Sequence, residues 1–292
     1  MSLKAPATDP DFVKPLDPRE FEQFRELAHR TFGLDLKAGK EELVSARLRK
    51  LVRGGGFRSF QDYYRSIVQD RSGESLHAMI DALATNHTSF LREADHFQFL
   101  RETVLPGLNS PSLNSNSPLE IWCAACSTGE EVWSLTMVLN EALPGRKVRI
   151  HASDISNKAL TFAQRAVYPL ERCRGLSAPW LARYFIPDGR PPTGYQVAPS
   201  VRAQAAFRRI NLVESYSWPQ AFPVIFCRNV MIYFDRATQE KVIAGLTRHL
   251  EPGGYLFVGH AESLTRVGHS LEYIRPAVYR KPGKNGARWN RS

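Results

Sequence analysis

The chain is expected to be an α/β protein: a parallel sheet covered by helices, preceded by an all-α block and interrupted by a small antiparallel insertion. Three observations predict this. Short apolar strands alternate with helices from Leu119 to Gly259, the pattern of a parallel sheet wrapped on both faces. Residues 17–84 repeat apolar side chains at three and four and show no strand signal. Residues 168–209 are rich in Pro and Gly, hold no long helix and break the alternation. A length of 292 residues is comfortable for two cores. The longest apolar runs, such as Val224–Cys227, are far too short to cross a bilayer. The first 18 residues contain Pro and Asp but no apolar stretch, so they do not read as a signal peptide, and a cytoplasmic protein is expected.

The elements follow in order. Asp17 caps the first helix, with Pro18 in its first turn and Phe21, Phe24, Leu27, Ala28 and Phe32 along one face; Gly33 ends it. A second helix, Lys40–Val52, puts Leu43, Val44, Leu48 and Leu51 on one face and Arg47, Arg49, Lys50 and Arg53 on others, until Gly54–Gly56 stops it. Ser59 opens a third through Tyr63, Tyr64 and Ile67, and a fourth, Glu74–Ala84, leads into Thr85–Thr88. The Ser/Asn/Pro stretch between Gly107 and Pro118 reads as a surface loop. Strands are expected at Leu119–Ala124, at Val148–Ala152 running on to Asp154, at Val224–Phe226 and at Tyr255–Gly259. Helices are expected at Glu130–Ala142, Asn157–Val167 and Thr238–Leu250. The basic tail from Lys281 is expected to be disordered.

The segment Trp122–Trp133, WCAACSTGEEVW, carries the most chemistry. It reads as strand, turn and helix start, with Ala125, Ser127 and Gly129 at two-residue steps where nucleotide-binding turns carry glycines. Glu130 and Glu131 would repel a phosphate and attract a cationic ligand, which points to S-adenosylmethionine rather than ATP or NAD. Adjacent helical residues diverge by about 100 degrees, so only Glu131 is expected to face that ligand. Asp154 ends a strand 25 positions after Gly129, the spacing of a ribose-binding acid. Its other reading is the N-cap of the following helix, and the small-residue turn upstream favours ribose. Cys123 and Cys126 have zinc or redox spacing, but no second CxxC or His pair accompanies them. They read as small residues lining the turn, and no metal is expected.

Leu250-Glu-Pro-Gly-Gly-Tyr255-Leu is helix, tight turn and strand, and matches a turn found late in the sheet of S-adenosylmethionine-dependent methyltransferases. Together with TNHTSFLREADHF (85–97), WCAACSTGEEVWS (122–134), ASDIS (152–156), IFCRNVMIYFD (225–235) and GHAESL (259–264), it makes the chain resemble a chemotaxis receptor glutamate methyltransferase of the CheR type from Asp17 to Tyr279. The resemblance implies a Rossmann-like sheet in a catalytic domain over 89–282, an N-terminal helical domain over 15–88, a β subdomain inserted at 168–209 and a tail at 283–292. It implies that Asn86, Thr88 and Arg92 reach over the cofactor, Glu131 faces its amino group and Asp154 its ribose. Asn211 and Leu212 would hold the adenine, and Arg228 and Asn229 would line the site beside the sulfonium. Arg92 and Tyr233 would orient the substrate carboxylate. Arg92, Tyr233 and Asn229 each have a plainer reading as well: Arg92 paired with Glu93 or Asp95, Tyr233 as a core aromatic, and Asn229 as the cap of its strand.

A glutamate carboxylate is ionised at neutral pH, and the sulfonium methyl is activated by its cofactor. The implied reaction therefore needs alignment and desolvation rather than a general base, and leaves S-adenosyl-L-homocysteine. The formal charge of +10 asks for an acidic partner. The resemblance implies that Arg47, Arg49, Lys50 and Arg53 dock on the acidic helical bundle of a chemoreceptor's cytoplasmic part. Some family members bind a receptor tail peptide at the β subdomain, and one sequence leaves this open here. A monomer with no nucleic-acid partner and no insertion into the membrane is expected. Two other functions compete. A nucleic-acid methyltransferase of the amino-methylating kind would carry two prolines after its fourth strand, and Asn229–Tyr233 has none. A cofactor-sensing regulator without turnover has no need of Arg92, Asn229 and Tyr233 together.

Overall fold

Asp17 accepts hydrogen bonds from the Arg19 and Glu20 N–H groups while Glu20 reaches back to the Asp17 N–H, a reciprocal cap that starts α1 (Pro18–Phe32). Gly33, left-handed at φ 74°, ends it. The computed structural model describes residues 13–108 and 117–283. The chain divides into two units, Met1–Thr85 and Asn86–Ser292. Residues 109–116 of the expected surface loop and residues 284–292 of the tail lie outside the described residues.

In the first unit α2 (Glu41–Gly54), α3 (Phe60–Gln69, capped by Ser59) and α4 (Glu74–Leu83) follow. They bury Phe24 against Phe60, Tyr63 and Tyr64, together with Leu48, Val52, Met79 and Ile80. On α2 the buried face is Val44, Ser45, Leu48 and Val52, whereas Leu43, expected among them, is 45 % exposed. Ser45 can be buried because its hydroxyl accepts from the Leu16 N–H. Arg47 is drawn in too: its guanidinium donates to the Leu83 carbonyl at 2.6 Å and to Thr85 Oγ1 at 3.2 Å.

The second unit begins with α5 (Ala94–Phe99), a π-helical turn (Leu100–Val104) and α6 (Leu105–Leu108). Then come β1 (Leu119–Ala124), α7 (Glu130–Ala142), β2 (Val148–Asp154) and α8 (Asn157–Arg165). A small piece follows: β3 (Val167–Pro169), α9 (Leu170–Cys173), α10 (Ala178–Tyr184), β4 (Phe185–Asp188), β5 (Gly194–Val197) and α11 (Pro199–Arg202). The chain closes with β6 (Ala205–Arg209), β7 (Phe222–Cys227), α12 (Arg236–His249), β8 (Leu250–Phe257), β9 (Glu272–Arg275) and β10 (Val278–Arg280).

The main sheet has the order β6-β2-β1-β7-β8-β10-β9, parallel from β6 to β8 with β10 and β9 antiparallel at one edge. Alternate residues of β1 feed two cores, Ile121 and Cys123 into one and Trp122 and Ala124 into the other. The insertion forms a separate three-stranded antiparallel sheet, β3-β5-β4. Residues 205–209, expected inside it, instead pair with β2 as a strand of the main sheet, Ile150 opposite Ala205.

The Glu251–Gly254 turn differs from its expected form. Residues 250–257 run as one strand, and pairing with β7 jumps from Phe222–Leu250 to Val224–Tyr255. The surplus residues bulge where Gly253 is left-handed (φ 82°) and Gly254 lies against the chain; a Cβ there would sit 2.9 Å from the Pro223 carbonyl. The chain order reverses at β1, which separates β2 from β7. Ligands of such sheets bind beyond the carboxyl ends of the strands at that point.

Candidate active site

The turn after β1 lies at the carboxyl end of that strand, at this switch point. Ala125 (φ 57°), Ser127 (φ 50°) and Gly129 (φ 93°) are all left-handed, so the two-residue spacing of small side chains marks a backbone alternation. Such conformations are strained for Ala and Ser and persist where the surroundings enforce them. Here the Cys126 N–H is held by the Ser153 carbonyl, and the Ser127 N–H donates to Asp154 Oδ2 at 2.8 Å. Gly129 is obligatory, since a Cβ would lie 2.8 Å from Ala163 Cβ and 3.0 Å from Tyr168 Oη. The Ser127 hydroxyl oxygen is buried in this turn without a hydrogen-bond partner, the kind of group a polar ligand completes.

Asp154 is not the cap of α8: Ser156 takes that place, accepting from the Ala159 N–H. Asp154 instead ties two backbone N–H groups, Ser127 on Oδ2 and Ser156 on Oδ1 at 2.9 Å. Asp154 thereby ties the turn after β1 to the end of β2. Asn211 and Leu212 lie two and three residues beyond the end of β6. The Asn211 amide donates to Glu214 and its oxygen accepts from the Val213 N–H, and Leu212 is buried beside it.

The two glutamates at the start of α7 diverge. Glu130 is 0 % exposed and belongs to the small sheet's side, where it accepts from Thr128 Oγ1 (2.6 Å) and Arg172 (2.8 Å). Glu131 turns the other way and accepts from Arg228 Nη1 at 2.7 Å and from the Cys123 thiol at 3.2 Å. Burial pushes the Cys123 and Cys126 thiols well above their ordinary range, so neither is a reactive thiolate. All four cysteines are free and buried.

Arg228 follows β7 and is only 4 % exposed. Its second nitrogen donates to the Arg92 carbonyl at 2.5 Å and to Glu93 Oε2 at 2.7 Å. Burial works against the Arg228 charge, but the two carboxylates more than offset it and hold the group protonated. Burial also pushes the Glu93 carboxyl up, yet Arg228 and the Asn229 amide, which donates to Glu93 Oε1 at 3.1 Å, bring it down to about 2. Glu93 entered the sequence reasoning only as a surface partner of Arg92. No periodicity singles it out, because its partners Arg228 and Asn229 lie more than 130 positions along the chain. Two carboxylates around one guanidinium leave an excess negative charge beside the turn.

The remaining expected residues fall as follows. Asn86 and Thr88 are half-buried in the segment that precedes Phe90, and the Arg92 guanidinium donates to the His87 carbonyl at 3.0 Å rather than pairing with Glu93 or Asp95. Asp95 faces His260 (3.1 Å) and Arg275 (3.5 Å). Asn229 is left-handed at φ 59°. Tyr233 ends a 3-10 turn (Met231–Tyr233) and is half-buried, not a core aromatic. On α2, in the first unit, Lys50 and Arg53 are exposed, Arg49 is half-buried and Arg47 is engaged as above.

These residues fit S-adenosylmethionine on their own chemistry. The excess negative charge suits an ammonium or sulfonium, and the unpartnered Ser127 hydroxyl lies in a left-handed turn that Asp154 holds in place. Comparison with known proteins agrees. The family model described as "CheR methyltransferase, SAM binding domain" matches residues 86–279, and "CheR methyltransferase, all-alpha domain" matches residues 19–84. The "Chemotaxis protein methyltransferase" of Borreliella burgdorferi is 35 % identical over 270 residues, 90 % of this chain and 94 % of that one. "Chemotaxis protein methyltransferase 2" of Pseudomonas aeruginosa is 38 % identical over 264 residues, 89 % and 92 % of the two chains. The "Chemotaxis protein methyltransferase" of Escherichia coli is 33 % identical over 269 residues, 90 % and 91 %. The chain thus belongs to the CheR methyltransferase family, and S-adenosylmethionine is its cofactor.

Proposed function

We propose that the protein is a protein-glutamate O-methyltransferase that converts glutamate carboxylates of a methyl-accepting chemoreceptor to methyl esters. The observation that carries the reading is the Glu131–Arg228–Glu93 cluster, which prepares an anionic surround for a cationic methyl donor at the carboxyl ends of β1 and β7. The relatives, all named chemotaxis protein methyltransferases, supply the substrate class. No helix among the described residues is long and apolar enough to cross a membrane.

The cofactor supplies an electrophilic methyl group. What this chain's residues do is bind and orient. Glu131 accepts from the amino end, Asp154 from the ribose hydroxyls, and Asn211 and Leu212 hold the adenine. Asn86 and Thr88 cover the bound cofactor, and Arg228 and Asn229 line its reactive end. Two arginines stand near the carboxylate's path, and their surroundings separate their roles. Arg228 is already neutralised by two carboxylates, whereas Arg92 bonds a neutral carbonyl and keeps its charge for an incoming carboxylate. Tyr233 adds a phenolic donor, so Arg92 and Tyr233 orient the nucleophile. A carboxylate is already ionised at neutral pH, so alignment and exclusion of water suffice.

The exposed basic residues of α2, with Arg49 beside them, dock on the acidic receptor bundle, and the enzyme acts in the cytoplasm as a monomer. β3 and β4 are open edges of the small sheet, where a receptor tail peptide can add as a strand. Incubation with tritiated S-adenosylmethionine and receptor-rich membranes tests the reading. Label released by base as methanol is expected; base-stable label, or label in RNA, overturns it.

A further inference from the structure

Glu262 lies in the GHAESL segment after β8 and is 5 % exposed. Its carboxylate gathers four backbone N–H groups. Oε2 accepts from Asn229 (2.7 Å) and Gly259 (2.5 Å), and Oε1 from Met231 (2.7 Å) and Ile232 (3.3 Å). Three of these donors belong to the segment that leaves β7, where the chain turns through left-handed Asn229 into the 3-10 turn ending at Tyr233. A chain turning this sharply leaves successive N–H groups without a strand or helix partner, and buried N–H groups must be satisfied. Glu262 satisfies them from the segment that follows β8, the parallel neighbour of β7, and its own N–H closes back on the Gly259 carbonyl at 2.8 Å.

Gly259 completes the device. A Cβ there would collide with Asn229 Nδ2 and lie 2.8 Å from Glu262 Oε2 and 2.9 Å from the Asn229 nitrogen. The Asn229 amide that occupies this space is the group that donates to Glu93 Oε1. The ends of β7 and β8 are therefore locked by one carboxylate, and the locked segment carries Arg228, Asn229 and Tyr233.

We propose that Glu262 is a positioning residue for methyl transfer: it sets the backbone of residues 229–232 so that Asn229 and Tyr233 meet the cofactor and the substrate carboxylate. The proposal rests on the function proposed above. In Glu262→Gln one oxygen becomes an NH2 that faces two N–H donors, so the segment must shift although the side chain keeps its size.

The test compares the full-length wild type, Glu262→Gln, Glu262→Asp and a control, Leu264→Ala, whose buried side chain lies in the same loop. Thermal midpoint, S-adenosylhomocysteine Kd by calorimetry, and kcat and receptor KM per cofactor-binding site are measured well below the midpoints. For Glu262→Gln, kcat is expected to fall roughly tenfold or more and the Kd to rise roughly fivefold, with receptor KM within about twofold. Glu262→Asp, which keeps the charge, is expected to lie between it and the wild type. Leu264→Ala is expected to lose thermal stability but keep kcat and Kd within about twofold. Should Glu262→Gln fail to fold, Glu262→Asp and Gly259→Ala are expected to change kcat and Kd in the same direction. The proposal is overturned if the variants at Glu262 and Gly259 lose only stability, as the control does. A wild type that releases no methanol defeats the glutamate reading alone, since the Kd arm needs no receptor.

Discussion

Arg228 and Glu131 form a 2.7 Å ion pair across the point where the sheet changes direction. Arg228 is the first residue after β7 and Glu131 the second of α7, which follows β1. The parallel pairing of β1 with β7, Ala124 opposite Cys227, is what brings them together. Glu93 closes the cluster from the other side at 2.7 Å. A guanidinium alone beside a sulfonium would repel it, and the second carboxylate reverses that sign.

Arg228→Met tests how much the fold depends on this pairing. It leaves Glu131 and Glu93 without their counter-charge, and removing one partner of a buried pair costs about 3–5 kcal/mol. Urea unfolding at neutral pH is expected to show a loss of that size. A loss below about 1 kcal/mol would mean that water reaches the carboxylates and that the cluster is not desolvated.

Glu131→Gln separates the ends of the cofactor. If Glu131 receives the amino group, S-adenosylhomocysteine should bind roughly tenfold or more weakly, about 1.4 kcal/mol. 5′-Methylthioadenosine, which lacks the amino-acid end, should bind as it does to the wild type. Equal weakening of both ligands in calorimetry contradicts the assignment.

The site was unevenly legible in the sequence. Ala125, Ser127 and Gly129 stood out because strained backbone conformations restrict side-chain size locally. The divergence of Glu130 and Glu131 followed from helix geometry, and the structure turns one to Arg172 and the other to Arg228. Glu93 and Glu262 could not be read this way. Each acts on groups brought near only by the tertiary fold, 135 and 33 positions away, and nothing in the local pattern distinguishes such a carboxylate from a surface one. The same holds for β6: five residues at the end of a Pro- and Gly-rich stretch resemble the insertion, and only their pairing with β2 assigns them to the main sheet. On α2 Leu43, expected on the buried face, is exposed, while Ser45 is buried with its hydroxyl accepting from the Leu16 N–H.

Gly129→Ala probes the turn itself. A left-handed residue with a Cβ 2.8 Å from Ala163 must displace α8 or open the turn. A stability loss of about 1–3 kcal/mol is expected, with weakened S-adenosylhomocysteine binding. Unchanged unfolding would mean that the turn tolerates another backbone conformation.

Charge reversal on α2 distinguishes docking from folding. Lys50 and Arg53 are exposed, so Lys50→Glu with Arg53→Glu should raise receptor KM roughly tenfold and leave cofactor Kd unchanged. Arg47→Glu should also destabilise the first unit, because the Arg47 guanidinium holds the Leu83 carbonyl and Thr85 Oγ1. Loss of cofactor binding in the double variant would contradict a docking role.

His96 makes stability depend on pH. Its ring is fully buried, neither nitrogen makes a hydrogen bond although Glu93 Oε2 lies 3.4 Å from Nδ1, and Phe257 and His260 meet it in T-shaped contacts. Burial lowers its pKa first and Arg228 adds to the effect; Asp95 and Glu93 oppose them, His260 lowers it further, and the result is about 4 against 6.5 for the free side chain. Between these values the unfolded chain binds the proton and the folded chain does not. The stability conferred by a neutral His96 is therefore complete above about pH 6.5 and is lost as pH falls toward 4. The loss amounts to about 2 kcal/mol between pH 7 and pH 5. Glu93, held at about 2, has the same sign but adds its loss only below about pH 4.5, so it does not contribute in that window. Denaturant unfolding across this range should therefore show a slope in the wild type that His96→Asn reduces. An unchanged slope would place the titrating group elsewhere.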